Sequence, residues 1–372
     1  MSLNERLTQI QPNAIRAFDA QISDVADILK LTLGEPDFNV PTHIKQAAID
    51  SILADDSHYA PAAGTQALRE AAVHFLADRY NLQYDADSQV IVTLGATEGI
   101  YDTITAVVNP GDRVLIPAPN FPLYDPTVVL AGGVPTYVDT SATDFLLTPD
   151  QLQGAIDTYG DQLVAVVLNY PSNPTGATYT SEQLSALADV LRGTDITVIA
   201  DEIYSELVYD GQHTSIAQYL PDQTLVLNGV SKSHAMTGYR IGFVVGPTKL
   251  IRAVGLIHQF AVTSASNPAM AGAAEALGTE AGRQDTLAMK AEYAARRDYL
   301  VKALRELGFA IPQPAGAFYV FAQIPDGLVQ DDVAFSLALA QEGKVAVIPG
   351  SAFGIGGAGY IRLSYAASLA DL

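Results

Sequence analysis

The chain has 372 residues, 49% hydrophobic and only 16% charged, with 41 acidic against 20 basic side chains and a formal net charge of −21. So apolar a chain of this length predicts a large interior shared between two domains, and its negative average field disfavours a nucleic-acid partner. Without cysteine it has no disulfide and no thiolate metal site, and no metal is expected.

The N-terminal stretch MSLNERLTQIQPNAIRAFDAQ lacks the basic-then-apolar pattern of an export signal. No apolar run approaches the roughly 20 residues that cross a bilayer, so a cytoplasmic protein without membrane contact is expected. TLGEPDFNVP (32–41) reads as a linker crossing between two parts of the molecule. VIVTL (90–94) is a run of strand formers, followed by ATEGIYDTITAVVN with helical spacing and NPGD as a turn. Further strand candidates are 113–119, 133–139, 163–169, 195–201, 224–230 and 242–247, with helical stretches such as SEQLSALADVLRG (181–193) between several of them. Strand runs without polar alternation, separated by helices, predict an α/β fold whose mostly parallel sheet is covered by helices on both faces.

The texture changes near residue 280. Residues 280–308 read as one long amphipathic helix closed by Gly308, followed by strands in FAIPQ, GAFYVFAQI, VAVIPG and GYIRLSYA. The expected division is a large domain over 40–285 and a smaller α+β domain made of 1–39 and 286–372, with 280–308 as the connecting helix. After the last strand the pattern leads one to expect another helix.

In a parallel sheet, ligands gather at the carboxyl ends of the strands. Gly95–Thr97, Asn169–Gly176, Asp201 with Tyr204, and Ser231 with Lys232 all follow strand candidates, so one rim collects them. Each has a plain reading beside a functional one. Asp201 is a helix N-cap or an anion holding a cationic ring nitrogen. Gly95–Ala96–Thr97 is an ordinary strand-to-helix turn or a phosphate cradle of backbone N–H groups. NYPSNPTG (169–176) is a loop of turn formers or a rigid presenter of Asn173. Lys232 is a solvated amine or, if desolvated, a Schiff-base former, and Arg240 is a surface cation or a partner for phosphate or carboxylate.

The stretches LGEPDFNVP, YAPAAGTQALREA, VTLGATEGIYD, PGDRVLIPAPNFPLY, YPSNPTG, ADEIYSEL, SKSHAMTGYRIGF, GAFYVF and YIRLS occur in one order over almost the whole chain. In that set and order the chain resembles the pyridoxal-phosphate aminotransferases of the aspartate aminotransferase superfamily, class I/II, of fold type I. It looks most similar to the bacterial N-acetyl-L,L-diaminopimelate aminotransferase branch and lies near the aromatic amino acid aminotransferases. The resemblance implies ping-pong transfer of an amino group from an L-amino acid to a 2-oxo acid, with glutamate and 2-oxoglutarate as the common pair. Lys232 would carry pyridoxal 5′-phosphate as an internal aldimine and, once freed, shuttle the substrate's proton. Asp201 would pair with the pyridine nitrogen, Tyr204 and Asn173 with the phenolic oxygen, and Phe121 would stack on the ring. Gly95, Ala96, Thr97, Ser231 and Arg240 would hold the phosphate, and Tyr59 would reach it from the partner subunit of a homodimer. Arg362, with Asn173 and the backbone of Gly34, would clamp the substrate α-carboxylate.

The chain also departs from its relatives. A serine that many of them carry three residues before the lysine is Gly229 here. Aspartate-specific members place an arginine where this chain has Val262, or a lysine where it has Thr97, so aspartate is not the expected donor. Arg16 is the candidate for a distal substrate carboxylate, with Ile15 and Phe18 as an apolar wall beside it. Two other readings share the fold: a C–S β-lyase using the same lysine, and an amino-acid-sensing regulator, which would often carry a DNA-binding extension not found here. N-acetyl-L,L-diaminopimelate and aromatic amino acids are the leading substrates; the first would point to lysine biosynthesis.

Overall fold

The computed structural model describes residues 3–372. Seven segments form the main sheet: β1 Val90–Thr93, β2 Arg113–Ala118, β3 Val134–Asp139, β4 Leu163–Asn169, β5 Thr197–Asp201, β6 Thr224–Gly229 and β7 Gly242–Val245. Their spatial order is β1-β7-β6-β5-β4-β2-β3. All neighbours run parallel except that β7 is antiparallel to both β1 and β6. The apolar runs have the physical reason anticipated for them: β5 and β6 are buried at every position. Alternate side chains feed two cores. Val166, Leu168, Val198, Ala200 and Val226 point to one face, where helices Gln66–Tyr80, Ser181–Leu191 and Asn267–Gly278 cover them. Ala165, Val167, Ile199, Leu225 and Leu227 point to the other, under helices Gly95–Val107, Tyr124–Ala131 and Thr248–Ala261. Each fully buried Val, Leu or Ile contributes about 1.5–3 kcal/mol, so the sheet's central strands are anchored from both sides.

Helix Ser181–Leu191 begins at a reciprocal cap between Thr180 and Gln183. The long helix runs Glu280–Glu306; Thr279 caps its start, and Gly308, at φ +92°, turns the chain away after it. A second sheet holds Ile348–Pro349, Tyr360–Ser364 and Tyr319–Gln323, all antiparallel. Leu29–Lys30 pairs with Val345–Ala346, which ties the N-terminal segment to the C-terminal part of the chain. Among the described residues no helix is long and apolar enough to cross a membrane.

Several expected elements differ. FAIPQ forms no strand, only an isolated bridge from Ala310 to Gln323, because Pro312 and Pro314 cannot donate to a ladder. VAVIPG splits into two pairs with different partners. The strand expected over 224–230 stops at Gly229, since Val230 opens a one-turn helix, Val230–Ser233, that carries Lys232. Asp201 and Tyr204 are joined by a tight turn and not by a helix.

β1, β4, β5 and β6 point the same way, so their carboxyl ends share one rim. Close backbone contact sets its height. A Cβ on Gly242 would lie 2.6 Å from both Ala96 N and Gly95 C. Gly242→Ala should therefore push the strand from the helix start and cost about 1–3 kcal/mol in urea unfolding; an unchanged midpoint would contradict this packing.

Candidate active site

A cavity of about 400 Å³ opens at that rim. Lys232, at the end of β6, is half-buried in it, and its Nζ donates to Gly34 O at 2.5 Å. The amine also sits 5.8 Å and 5.9 Å from the ring centres of Tyr204 and Phe318. Burial pulls its pKa down to about 8; Glu35 and Asp201 oppose that shift, while Arg240 and Arg362 add to it. A sizeable neutral fraction is thus present near pH 8, as a nucleophile or proton acceptor requires.

Asp201 ends β5 and is buried. Its Oδ2 accepts from the Tyr124 hydroxyl at 2.7 Å, and Ile203 N–H lies 3.3 Å from Oδ1. Its backbone carbonyl is held by the Asn169 amide and Tyr170 N–H. Burial pushes the carboxyl up to about 6, against the two donors that favour the anion. A carboxylate in this position, lining a cavity with no cation bonded to it, fits a positively charged ring nitrogen.

Arg362 lies on strand Tyr360–Ser364 and is only 1% exposed. Its Nη1 donates to Asn173 Oδ1 at 2.8 Å and its Nη2 to Thr32 O at 2.6 Å, while Nε has no partner. Tyr319 and Phe353 flank the guanidinium at 4.5 Å and 4.9 Å. Such a cation, with unspent donor capacity and no carboxylate bonded to it, fits a small carboxylate entering the cavity.

The opposite wall is built for an anion. Helix Gly95–Val107 starts at Gly95, at φ +74°, and its first N–H groups, with Ala96 and Thr97, face the cavity end. A Cβ on Gly95 would sit 2.6 Å from Arg240 Nη2. Arg240 adopts φ +55° and is oriented by Thr237 O at 2.9 Å. Ser231 is buried beside it. Gly229 supplies no hydroxyl, and its backbone is too crowded for one: a Cβ would come within 2.8 Å of Gly242 Cα and Ile241 O. Beneath this wall His258 bridges Glu98 and the carbonyl of Ala62, fixing the helix against the loop that follows Tyr59.

Phe121 and Gly34 also line the cavity, and Arg16 stands at its mouth with Ile15 and Asp19. Phe18, expected in that wall, instead turns inward to pack near Phe321 and Phe353, because the helix Ala14–Gln21 buries its face there. Tyr59 is 90% exposed and does not enter the cavity of its own chain. Tyr204 hydrogen-bonds Tyr319, hydroxyl to hydroxyl, at 2.7 Å. Sequence reasoning missed Tyr124, Tyr319 and Asp19. The two tyrosines had a faint signal: a phenol in an apolar run needs a buried partner for its hydroxyl.

The family model for aminotransferase class I and II matches residues 26–371. The chain belongs to the class I and II aminotransferases. It is 40% identical to the probable N-acetyl-LL-diaminopimelate aminotransferase of Bacillus subtilis, covering 100% of this chain and 93% of that one. It is 36% identical to aromatic-amino-acid aminotransferase 2 of Thermococcus litoralis, covering 100% and 96%. The structure of Thermus thermophilus aspartate aminotransferase with maleate superimposes with a TM-score of 0.94 at 35% identity, covering 100% and 97%. The fold is that of the pyridoxal 5′-phosphate enzymes of fold type I, and that cofactor is the family's. The unpaired anion, the N–H cradle with Arg240 and the depressed lysine suit its ring, its phosphate and its aldehyde in turn.

For this aminotransferase freed of cofactor, Lys232 should titrate near pH 8, read as the pH dependence of its acylation rate by mass spectrometry; a midpoint near the ordinary 10.5 would refute the desolvation argument. Because folding lowers this pKa, the amine costs stability at neutral pH. That cost should diminish as pH rises from about 8 toward 10.5.

Proposed function

We propose that Lys232, Asp201 and Arg362 carry the transamination, and that the preferred donor is an L-amino acid with a distal carboxylate and amide, N-acetyl-L,L-diaminopimelate ahead of aromatic amino acids. The observation that carries the residue roles is Arg362, a buried guanidinium with an unspent donor, in one cavity with the low-pKa amine of Lys232 and the anion of Asp201.

When bound, pyridoxal 5′-phosphate supplies an electron sink and carries the amino group between two half-reactions. Arg362 and Asn173 grip the substrate α-carboxylate and so orient its Cα–H bond toward Lys232. Lys232 Nζ, partly neutral at working pH, takes the Cα proton and holds it for return on the product side. With the cofactor in place, Asp201 would keep a proton on the ring nitrogen, and Tyr204 and Asn173 would donate toward the ring's oxygen. Phe121 would cover the ring face. Gly95, Ala96, Thr97, Ser231 and Arg240 would hold the phosphate and so anchor the ring. The amino donor departs as a 2-oxo acid before the acceptor, 2-oxoglutarate, enters, which gives ping-pong kinetics.

Three observations favour the acylated substrate. The relative bearing that name is among the most similar. The mouth combines Arg16, which could meet a distal carboxylate, with Asp19 and Glu35, which could accept an amide N–H. Val262 and Thr97 stand where aspartate-specific relatives have cations, which weighs against aspartate. Ile15 and Leu33 at the same mouth favour the aromatic reading as the second choice. We further propose a homodimer in which Tyr59 completes the neighbour's phosphate site; its 90% exposure and that of Phe260, at 82%, support a covered face. The separate sheets likewise support a cofactor-binding unit of 40–285 and a smaller unit of 1–39 and 286–372.

The holoenzyme should convert N-acetyl-L,L-diaminopimelate faster than phenylalanine or glutamate when donors are offered singly and the cofactor band is followed; phenylalanine fastest would move the assignment to the aromatic branch. Lys232→Ala should lose turnover while keeping its fold by circular dichroism, and transamination surviving in it would remove the central role. Arg362→Ala should lower kcat/KM by about two orders of magnitude, largely through KM.

A further inference from the structure

Tyr124 lines the same cavity as Asp201. Its hydroxyl donates to Asp201 Oδ2 at 2.7 Å from the first residue of helix Tyr124–Ala131, three residues after Phe121. Both partners are buried, and burial with the nearby Asp201 charge raises the phenol well above its usual value, so it stays protonated and can only donate. The other groups facing Asp201 are Lys232, whose charge favours the anion, Glu202, whose charge disfavours it, and the backbone N–H of Ile203. Tyr124 is thus the one side-chain hydroxyl bonded to this carboxylate among the described residues.

We propose that Tyr124 is a positioning residue: its hydroxyl aims the Asp201 carboxylate at the ring nitrogen and makes it a weak enough base to leave the proton on that nitrogen. The inference rests on the role assigned to Asp201 above. A donor to a carboxylate stabilises its ionised form. Removing the donor makes Asp201 a better proton acceptor, draws the shared proton off the ring nitrogen and loosens the carboxylate's aim. Phenylalanine fills the same volume without the hydroxyl, so the fold should survive the change.

The test compares binding of pyridoxal 5′-phosphate with that of its analogue in which the ring nitrogen is replaced by carbon. Both are titrated into apoprotein and followed by absorbance. Tyr124→Phe should weaken the natural cofactor about ten-fold and the carbon analogue hardly at all. The pH midpoint of the holoenzyme's visible band should also rise by about half a unit, since the lysine–cofactor linkage loses the pull of a charged ring. Asp201→Asn should show the same selectivity more strongly. Equal losses for both ligands in Tyr124→Phe, with Asp201→Asn still selective, would reduce Tyr124 to packing and overturn the proposal alone. An Asp201→Asn variant that does not distinguish the two ligands would overturn this proposal together with the role of Asp201.

Discussion

Two buried ions of opposite sign face one cavity and neither is bonded to the other. Asp201 has only hydroxyl and amide donors, and Arg362 has an amide oxygen, a carbonyl and two aromatic faces. Isolated charges taken out of water are costly, and a fold built only for stability would join or delete them. Keeping them apart leaves each with capacity for a ligand group of opposite charge. Lys232 follows the same logic, since the desolvation that makes its ammonium unfavourable is what makes its neutral amine available.

The protein around them has to supply both the stability and the rigidity that this arrangement spends. Asp201 and Lys232 hang from adjacent strands whose side chains are buried on both faces, so their positions are set by the best-packed part of the molecule. Glycines let the remaining pieces come close enough. Gly242 admits the start of the helix that carries Ala96 and Thr97, and Gly95 leaves room for Arg240. The crowding at Gly229 also accounts for the missing hydroxyl: a side chain there would run into Gly242 Cα and Ile241 O.

Arg362 reaches the cavity from the second sheet, and its hold on Thr32 O draws in the N-terminal segment. Gly34, two residues on, accepts the Lys232 amine, and Leu29–Lys30 pairs beside Val345–Ala346. The end of the cavity around Arg362 is therefore assembled from the two ends of the chain, while the end around Lys232 and Asp201 comes from its middle. Arg16 and Asp19, on the helix just before, inherit their place at the mouth from that same closure.

The sequence by itself determined what local pattern can encode. Short, largely apolar runs such as TVIAD and TLVLNG, alternating with helical stretches, read as strands buried on both faces, and the residues following them then share a rim, which brought Asn173, Asp201 and Lys232 together from the sequence. The ordered motifs carried the family. Only the tertiary structure decided the rest. Tyr124 and Tyr319 are 195 residues apart in the chain, and what their hydroxyls meet, Asp201 and Tyr204, depends on how a loop and a second sheet close over the rim. Phe18 and Ile15 share a short helix, yet Phe18 is buried in the core while Ile15, half-buried against the same cluster, also lines the cavity, since which face is buried depends on what packs against it. FAIPQ has strand-forming residues, yet beside the edge of the second sheet it makes a single bridge, Ala310 to Gln323, and its proline ends the ladder there. Hydrogen-bond partners and packing faces are properties of distant chain segments brought together, and no window of sequence contains them.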